Sequence, residues 1–336
     1  MDKPETVIEN MILVNLMVKH VTGVRKDKDA EDKVADEFKC GRDTYSIRIS
    51  QLPKEYTLRY RREIAELRRY FYTHTVPWEN RMWYAISTRK FQELEDHVNL
   101  EIKEIKKIFK SDVIMKYDEM KKNAKVSMGK LFKDEEFPTQ EQLERGMQVK
   151  FDVGAVPSPE DIRLVGIDKI AKDKLYNTMK TKQEDKVKGI ALKLISRIKD
   201  VTDDMLERVS SDEQEGKRYK ILMESLPEMV EAVEDLNICN NEVIVDTCKR
   251  IRDRVSKYSP QSIRTAEFVR SNIAEELGQI NEELETEART IRSTGITRTN
   301  DGLSQDDFQE GAFSWSYNPD AEHHGNSYGS NDEDQW

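Results

Sequence analysis

Residues 54–72, KEYTLRYRREIAELRRYFY, place Tyr56, Tyr60, Ile64, Leu67 and Phe71 at steps of three and four among Arg, Lys and Glu. That spacing gathers the large apolar side chains on one face of an α-helix and leaves the charges on the other. The same pattern resumes between 88 and 122 as Phe91, Leu94, Val98, Ile102, Ile105, Phe109, Val113 and Met120, over an outer face of mixed Lys and Glu. Helix is therefore the expected dominant element.

Further helices are predicted over 159–209, with a potential interruption near Gly189, and over 217–225, 227–237, 241–257 and 261–293. In the last of these Ile263, Ala266, Val269, Ile273, Leu277, Ile280 and Leu284 recur at three and four. Their starts carry capping signals: Thr139 with Gln142, Ser158-Pro159 with Asp161, and Ser259-Pro260. Ser225-Leu226-Pro227-Glu228 is read as a further box that separates two helices.

Three segments read as short strands. They are the apolar run Met11-Ile12-Leu13-Val14-Asn15-Leu16-Met17-Val18, which could also begin a helix, the alternation of Tyr45, Ile47 and Ile49, and that of Val149, Phe151 and Val153. They predict one small sheet, with a Lys/Asp-rich loop over 25–38. The expected fold class is α+β, predominantly α-helical: a small sheet of short strands with an antiparallel helical bundle and a disordered C-terminal tail. The expected division is 1–158 (sheet and long helices), 159–294 (helical bundle packed on the first part as one unit) and 295–336 (tail).

The 336 residues carry 55 Lys and Arg against 65 Asp and Glu, a formal net charge of −10. Nine of those acids lie in residues 301–336, which hold no Lys or Arg, so the tail supplies −9. The remainder is nearly neutral, with a basic middle over 51–200 and an acidic stretch over 201–250. A tail of Gly, Ser, Asn, Asp and scattered aromatics cannot bury enough apolar surface to offset its ordering entropy. No window approaches the ~18 consecutive apolar residues of a membrane span. The opening Met1-Asp2-Lys3-Pro4-Glu5 lacks a signal-peptide pattern, so a cytoplasmic protein is expected, in the host cytoplasm if phage-encoded.

Enzymatic signatures are sparse. Gly129-Lys130 falls short of a P-loop, because Ala124 stands for its first Gly and Leu131 for its Ser/Thr. His20, His74 and His97 are isolated in sequence. Cys239 and Cys248 read better as buried small hydrophobes than as zinc ligands. No catalytic residue, metal or cofactor is predicted, and the expectation is a non-enzyme.

Two binding features stand out. Arg59, Arg61, Arg62, Arg68, Arg69 and Arg81 interleave with Trp78, Trp83 and several tyrosines. Single-stranded nucleic acid is held by stacking on aromatics beside a basic groove, so these residues form a candidate single-stranded DNA platform. The competing reading makes Tyr56, Tyr60 and Phe71 a core stripe and the tryptophans packing anchors. At the C-terminus Asp332, Glu333 and Asp334 precede Trp336, which resembles the acidic tips through which single-strand-binding proteins recruit partners.

A wider set of landmarks carries a family resemblance. It comprises Pro77-Trp78, Tyr84-Ala85, Phe109, Val113 and Tyr117, Gly129-Lys130-Leu131-Phe132 and Phe137-Pro138-Thr139. Phe151-Asp152-Val153 and Val156-Pro157-Ser158-Pro159-Glu160-Asp161-Ile162-Arg163 follow, then Leu236-Asn237-Ile238-Cys239-Asn240, Ser262-Ile263-Arg264 and Arg270. Over roughly residues 10–290 their order resembles an uncharacterised phage and plasmid family, the domain of unknown function three-one-five-zero. The resemblance implies a partner, a MoxR/cobaltochelatase-type AAA+ ATPase, and no catalytic residues. It predicts a non-enzymatic accessory protein of a phage or mobile element that serves as adaptor for that ATPase. Single-stranded DNA binding in replication or recombination is the alternative, and a homo-oligomer is possible.

Overall fold

A computed structural model describes residues 4–21, 23–41, 44–79, 82–158, 168–210 and 216–294. The chain is α+β and mostly helical. A short helix α1 (Pro4–Glu9) leads into β1 (Met11–Lys19), and β2 (Val24–Lys26) into α2 (Lys28–Phe38) and β3 (Arg48–Ser50). Then come α3 (Lys54–Thr73), β4 (Val76–Glu79), β5 (Trp83–Ser87), α4 (Thr88–Phe109), α5 (Tyr117–Met128), α6 (Gln140–Gly146) and β6 (Gln148–Gly154). The second half is helical: α7 (Lys169–Ser210), α8 (Gly216–Leu236), α9 (Glu242–Arg250), α10 (Pro260–Thr265) and α11 (Glu267–Ser293).

The main sheet is antiparallel with strand order β4-β5-β1-β6. β1 is apolar on successive residues because both its faces are covered at its start. Val14 packs with Tyr84, Ile86 and Val149 towards α3 and α4, with Ile12, Leu16, Val18 and Phe151 half-buried beside them. Met11 and Leu13 join Val76, Trp78 and Ala85 on the opposite face, against α7, α8, α9 and α11. That second apolar cluster crosses the expected boundary at 158.

Three strands were not foreseen, and the expected single sheet becomes a four-stranded sheet plus a β2–β3 ribbon. Pro77 sits on edge strand β4, where a missing amide is tolerated, and a register shift follows it. The predicted loop 25–38 is mostly the helix α2. Asp27 caps it by accepting from the Ala30 amide at 3.1 Å, and the buried Glu31 carboxylate accepts from the Ile47 amide at 2.9 Å. The long helix expected over 88–122 is interrupted by a π-turn at Lys110–Ile114, which buries Val113 and Ile114 side by side.

Thr139 and Gln142 form the expected capping box, and Ser259 caps α10 with Pro260 at its first turn. Pro227 does not separate two helices: α8 runs through it. The helix expected over 261–293 is instead broken at Ala266, whose extended backbone (φ −112°, ψ 107°) separates α10 from α11. Arg270 seals that break by donating to the Ile263 and Arg264 carbonyls at 3.2 and 3.1 Å. α7 is uninterrupted at Gly189. The expected cap at Ser158-Pro159 and the tail 295–336 lie outside the described residues, except Ser158 itself. No described helix is long and apolar enough to cross a membrane.

Candidate functional site

The arginines and aromatics of the 54–91 region do not share one surface. Tyr60, Ile64, Leu67 and Phe71 form the buried face of α3. Tyr60 meets Phe109 edge-on at 5.3 Å and donates to the Val21 carbonyl at 3.1 Å, while Phe71 meets Tyr84 at 5.3 Å. Trp78 is 6% exposed, with the Lys186 ammonium 5.2 Å from its ring centre. Trp83 is half-buried beside the same cluster, and its ring lies where a Cβ on Gly154 would approach to 3.0 Å. Both indoles are therefore on the α7 side of the sheet, and α3 is on the other.

The arginines themselves point in two directions. Arg59, 3.8 Å from Asp112, and Arg62 are exposed, as is Arg69, which lies 3.0 Å from Glu66 and 3.5 Å from Glu228. Arg61 and Arg68 are half-buried beside His20, and Arg68 reaches the Val18 carbonyl at 3.5 Å. Burial holds the His20 pKa below its ordinary value, against a hydrogen bond to the Val21 carbonyl, and these two guanidiniums reinforce the depression. Arg81 lies outside the described residues, as do Asp332, Glu333, Asp334 and Trp336.

A cluster that sequence spacing concealed lies where α3, α4 and α8 meet. The Tyr70 ring lies between His74, at 4.1 Å, and His97, at 3.7 Å. The Lys90 ammonium bridges Glu93 at 3.1 Å and Asp235 at 3.2 Å. His74 is one helical turn beyond Tyr70, a visible signal, but His97 arrives through helix packing and has no local one. Burial, then the Glu93 carboxylate, push the Tyr70 phenol upward against the opposing Lys90, so it stays protonated at neutral pH. The depression beside these residues encloses about 10 Å³, room for roughly one water molecule. It can stack rings and pair charges, but it has no space for an organic substrate.

Half-buried cations serve the architecture. Arg197 on α7 donates to the carbonyls of Thr73 at 3.0 Å, Tyr72 at 3.2 Å and Thr75 at 3.0 Å, at and just beyond the C-terminus of α3. The Tyr72 and Thr73 carbonyls are acceptors a helix leaves unsatisfied, at the negative end of its dipole. Burial lowers the Arg197 pKa to about 10, with Asp200 opposing, so the group remains charged at neutral pH. Lys193 likewise donates to the Pro77 carbonyl at 2.7 Å. Cys239 and Cys248 are fully buried, and burial, then the Glu234 carboxylate, raise the Cys248 thiol to about 12 against the opposing Arg252. Among the described residues no cluster of three or more His, Cys, Asp or Glu could hold a metal.

The start of α7 is exposed on every side over residues 168–178. From Val187 onward its face of Ile190, Ala191, Leu194, Ile198, Val201 and Met205 is buried. Stepping back along that face, the next positions are Glu184, Lys180, Tyr176, Asp173 and Lys169, so the apolar stripe ends and the helix leaves the core. Lys169, Lys172, Lys174 and Lys182 are exposed, Ile170 is 82% exposed, and Leu175 and Tyr176 stand beside them. The Asp168 carboxylate caps this arm by accepting from the Ala171 amide at 2.9 Å. Comparison with protein-family models, curated proteins and solved structures finds no match to this chain.

Proposed function

We propose that the protein acts by binding rather than by chemistry, as a non-enzymatic adaptor of a phage or mobile element. The observation that carries this reading is the arm Lys169–Lys182, a capped helix outside the core that presents lysines around Ile170, Leu175 and Tyr176. A preformed helix with alternating cationic and apolar side chains loses little conformational freedom on docking. The Tyr70–His74–His97 cluster supports the same reading, since its groups are engaged in stacking and ion pairs around a space of water size.

The partner proposed is a MoxR-type AAA+ ATPase, on the strength of the landmark residues from Pro77-Trp78 to Arg270. Affinity capture of the full-length chain from cells carrying its mobile element tests this. A AAA+ ATPase should come down with the wild type and be lost with the arm variant L175E/Y176E; recovery of no such ATPase overturns the assignment. The alternative, single-stranded DNA binding, is better served by the arm than by residues 54–91, because Tyr176 and the lysines are exposed whereas Trp78 is buried. Oligonucleotide binding that weakens steeply with salt and is lost on neutralising the arm lysines would favour it.

A further inference from the structure

We propose that the acidic C-terminal tail, residues 301–336, docks in cis along the lysine-rich arm of α7. The inference rests on the geometry of this chain alone and is independent of the partner's identity. Three observations converge on it.

The first is direction. α11 runs antiparallel to α7 in constant register: Asn281 is bonded to Thr202 at 2.6 Å, Glu285 to Lys199 at 2.7 Å, and the Thr294 carbonyl to Lys188 at 2.8 Å. Each step forward on α11 is a step back on α7. α11 therefore ends beside Lys188, at the root of the arm, with its axis aimed along it.

The second is reach. Lys169 lies about 28 Å from Lys188 along the helix at 1.5 Å per residue. The six residues 295–300 span at most about 20 Å when extended. Asp301 can thus come level with the middle of the arm, and the remaining tail covers its whole length.

The third is chemical complementarity. Residues 169–182 contain five lysines and one acid, Asp173, whereas residues 301–336 contain nine acids and no Lys or Arg. Ile170, Leu175 and Tyr176 stand among the lysines, and Phe308, Phe313, Trp315 and Tyr317 stand among the first tail acids. Isolated surface ion pairs are weak, but a tether of this length supplies an effective concentration on the order of millimolar, which makes many weak contacts sufficient. A partner that uses the arm then has to displace the tail.

Hydrogen exchange on the full-length chain, with carbodiimide cross-linking, tests the proposal without any partner present. Carboxylates of 301–336 should cross-link to Lys169, Lys172, Lys174 or Lys182 with a yield independent of protein concentration and suppressed by about 0.5 M salt. Replacing the nine tail acids with Asn or Gln should speed exchange of the 172–182 amides at least about threefold, because a helix with few buried contacts opens readily. Independently, K169Q/K172Q/K174Q/K182Q keeps helix propensity and should lower the salt dependence of that exchange to the level of the tail variant. Unchanged exchange in the tail variant together with no tail-to-arm cross-links overturns the proposal. Cross-links found only between copies and rising with concentration also overturn it, in favour of docking in trans.

Discussion

Arg197 shows how one side chain can join two halves of a molecule. Half-buried on α7, it satisfies three carbonyls at and just beyond the end of α3. Arg197→Met preserves length and apolar volume but orphans those acceptors. With each unmade bond at a buried carbonyl costing about 1–3 kcal/mol, and some relief from no longer burying a charge, a net loss of about 3 kcal/mol is expected in urea unfolding. Glu276 offers a pH-dependent counterpart. Its carboxylate is 11% exposed and bonded to Arg250 at 2.7 Å and Arg254 at 2.8 Å. Burial raises its pKa, but these hydrogen bonds outweigh burial and hold it below the usual 4.5. A depressed carboxyl contributes stability that is present above the unfolded value and lost as pH falls through the folded one. Glu276→Gln should therefore cost about 1–2 kcal/mol at pH 7. The gap to wild type should close as pH drops below about 4; a difference that stays constant from pH 7 to 3 would contradict it.

At the scale of elements, periodicity revealed the helices that have one apolar stripe and obscured those whose stability comes from elsewhere. The stripe Tyr60, Ile64, Leu67 and Phe71 sufficed to place α3. By contrast α2 was concealed by its charges, because Asp27 and Glu31 act through backbone amides that spacing does not display. β4 and β5 were masked by Pro77 and by tryptophans that look like binding residues. Pro227 illustrates the opposite error, a local breaker overruled by packing. Its neighbours Met223, Leu226, Met229, Val230 and Val233 are buried, and their burial holds α8 together across a missing amide. Pro227 itself is exposed, so Pro227→Ala should restore a helical hydrogen bond without disturbing the core. A gain of about 1–3 kcal/mol and a higher Tm are expected. The candidate site was only partly legible. The Arg/aromatic mixture on 54–91 has the composition of a binding platform but is divided between two faces of the sheet. The arm of α7, where Val187 gives way to Glu184 and Lys180, could have been found by extending the stripe backward.

For the whole molecule, one apolar cluster spans the sheet and the helical bundle, from Met11 and Leu13 through Leu194 to Leu284. A shared core should melt as one unit. Leu194→Ala, at a fully buried position, should cost about 2–5 kcal/mol. In a W315F/W336F background, where tryptophan fluorescence reports Trp78 and Trp83, it should lower the fluorescence transition and the far-ultraviolet helix signal by the same amount. Separation of the two transitions would show that the parts on either side of residue 158 unfold independently.

α7 is one rod of 42 residues, about 63 Å long, packed in the core at one end and projecting from it at the other. Mechanically it is a handle. A pull on the Lys169 end cannot be absorbed by a hinge, since Gly189 leaves the rod unbroken, and it is delivered through the Arg197 and Lys193 clasps directly onto α3 and β4. The load then shears the packed face of α7 along its length instead of peeling the sheet strand by strand. The molecule should resist tension applied at the arm far better than tension applied at β6, the edge strand that can be unzipped one pair at a time.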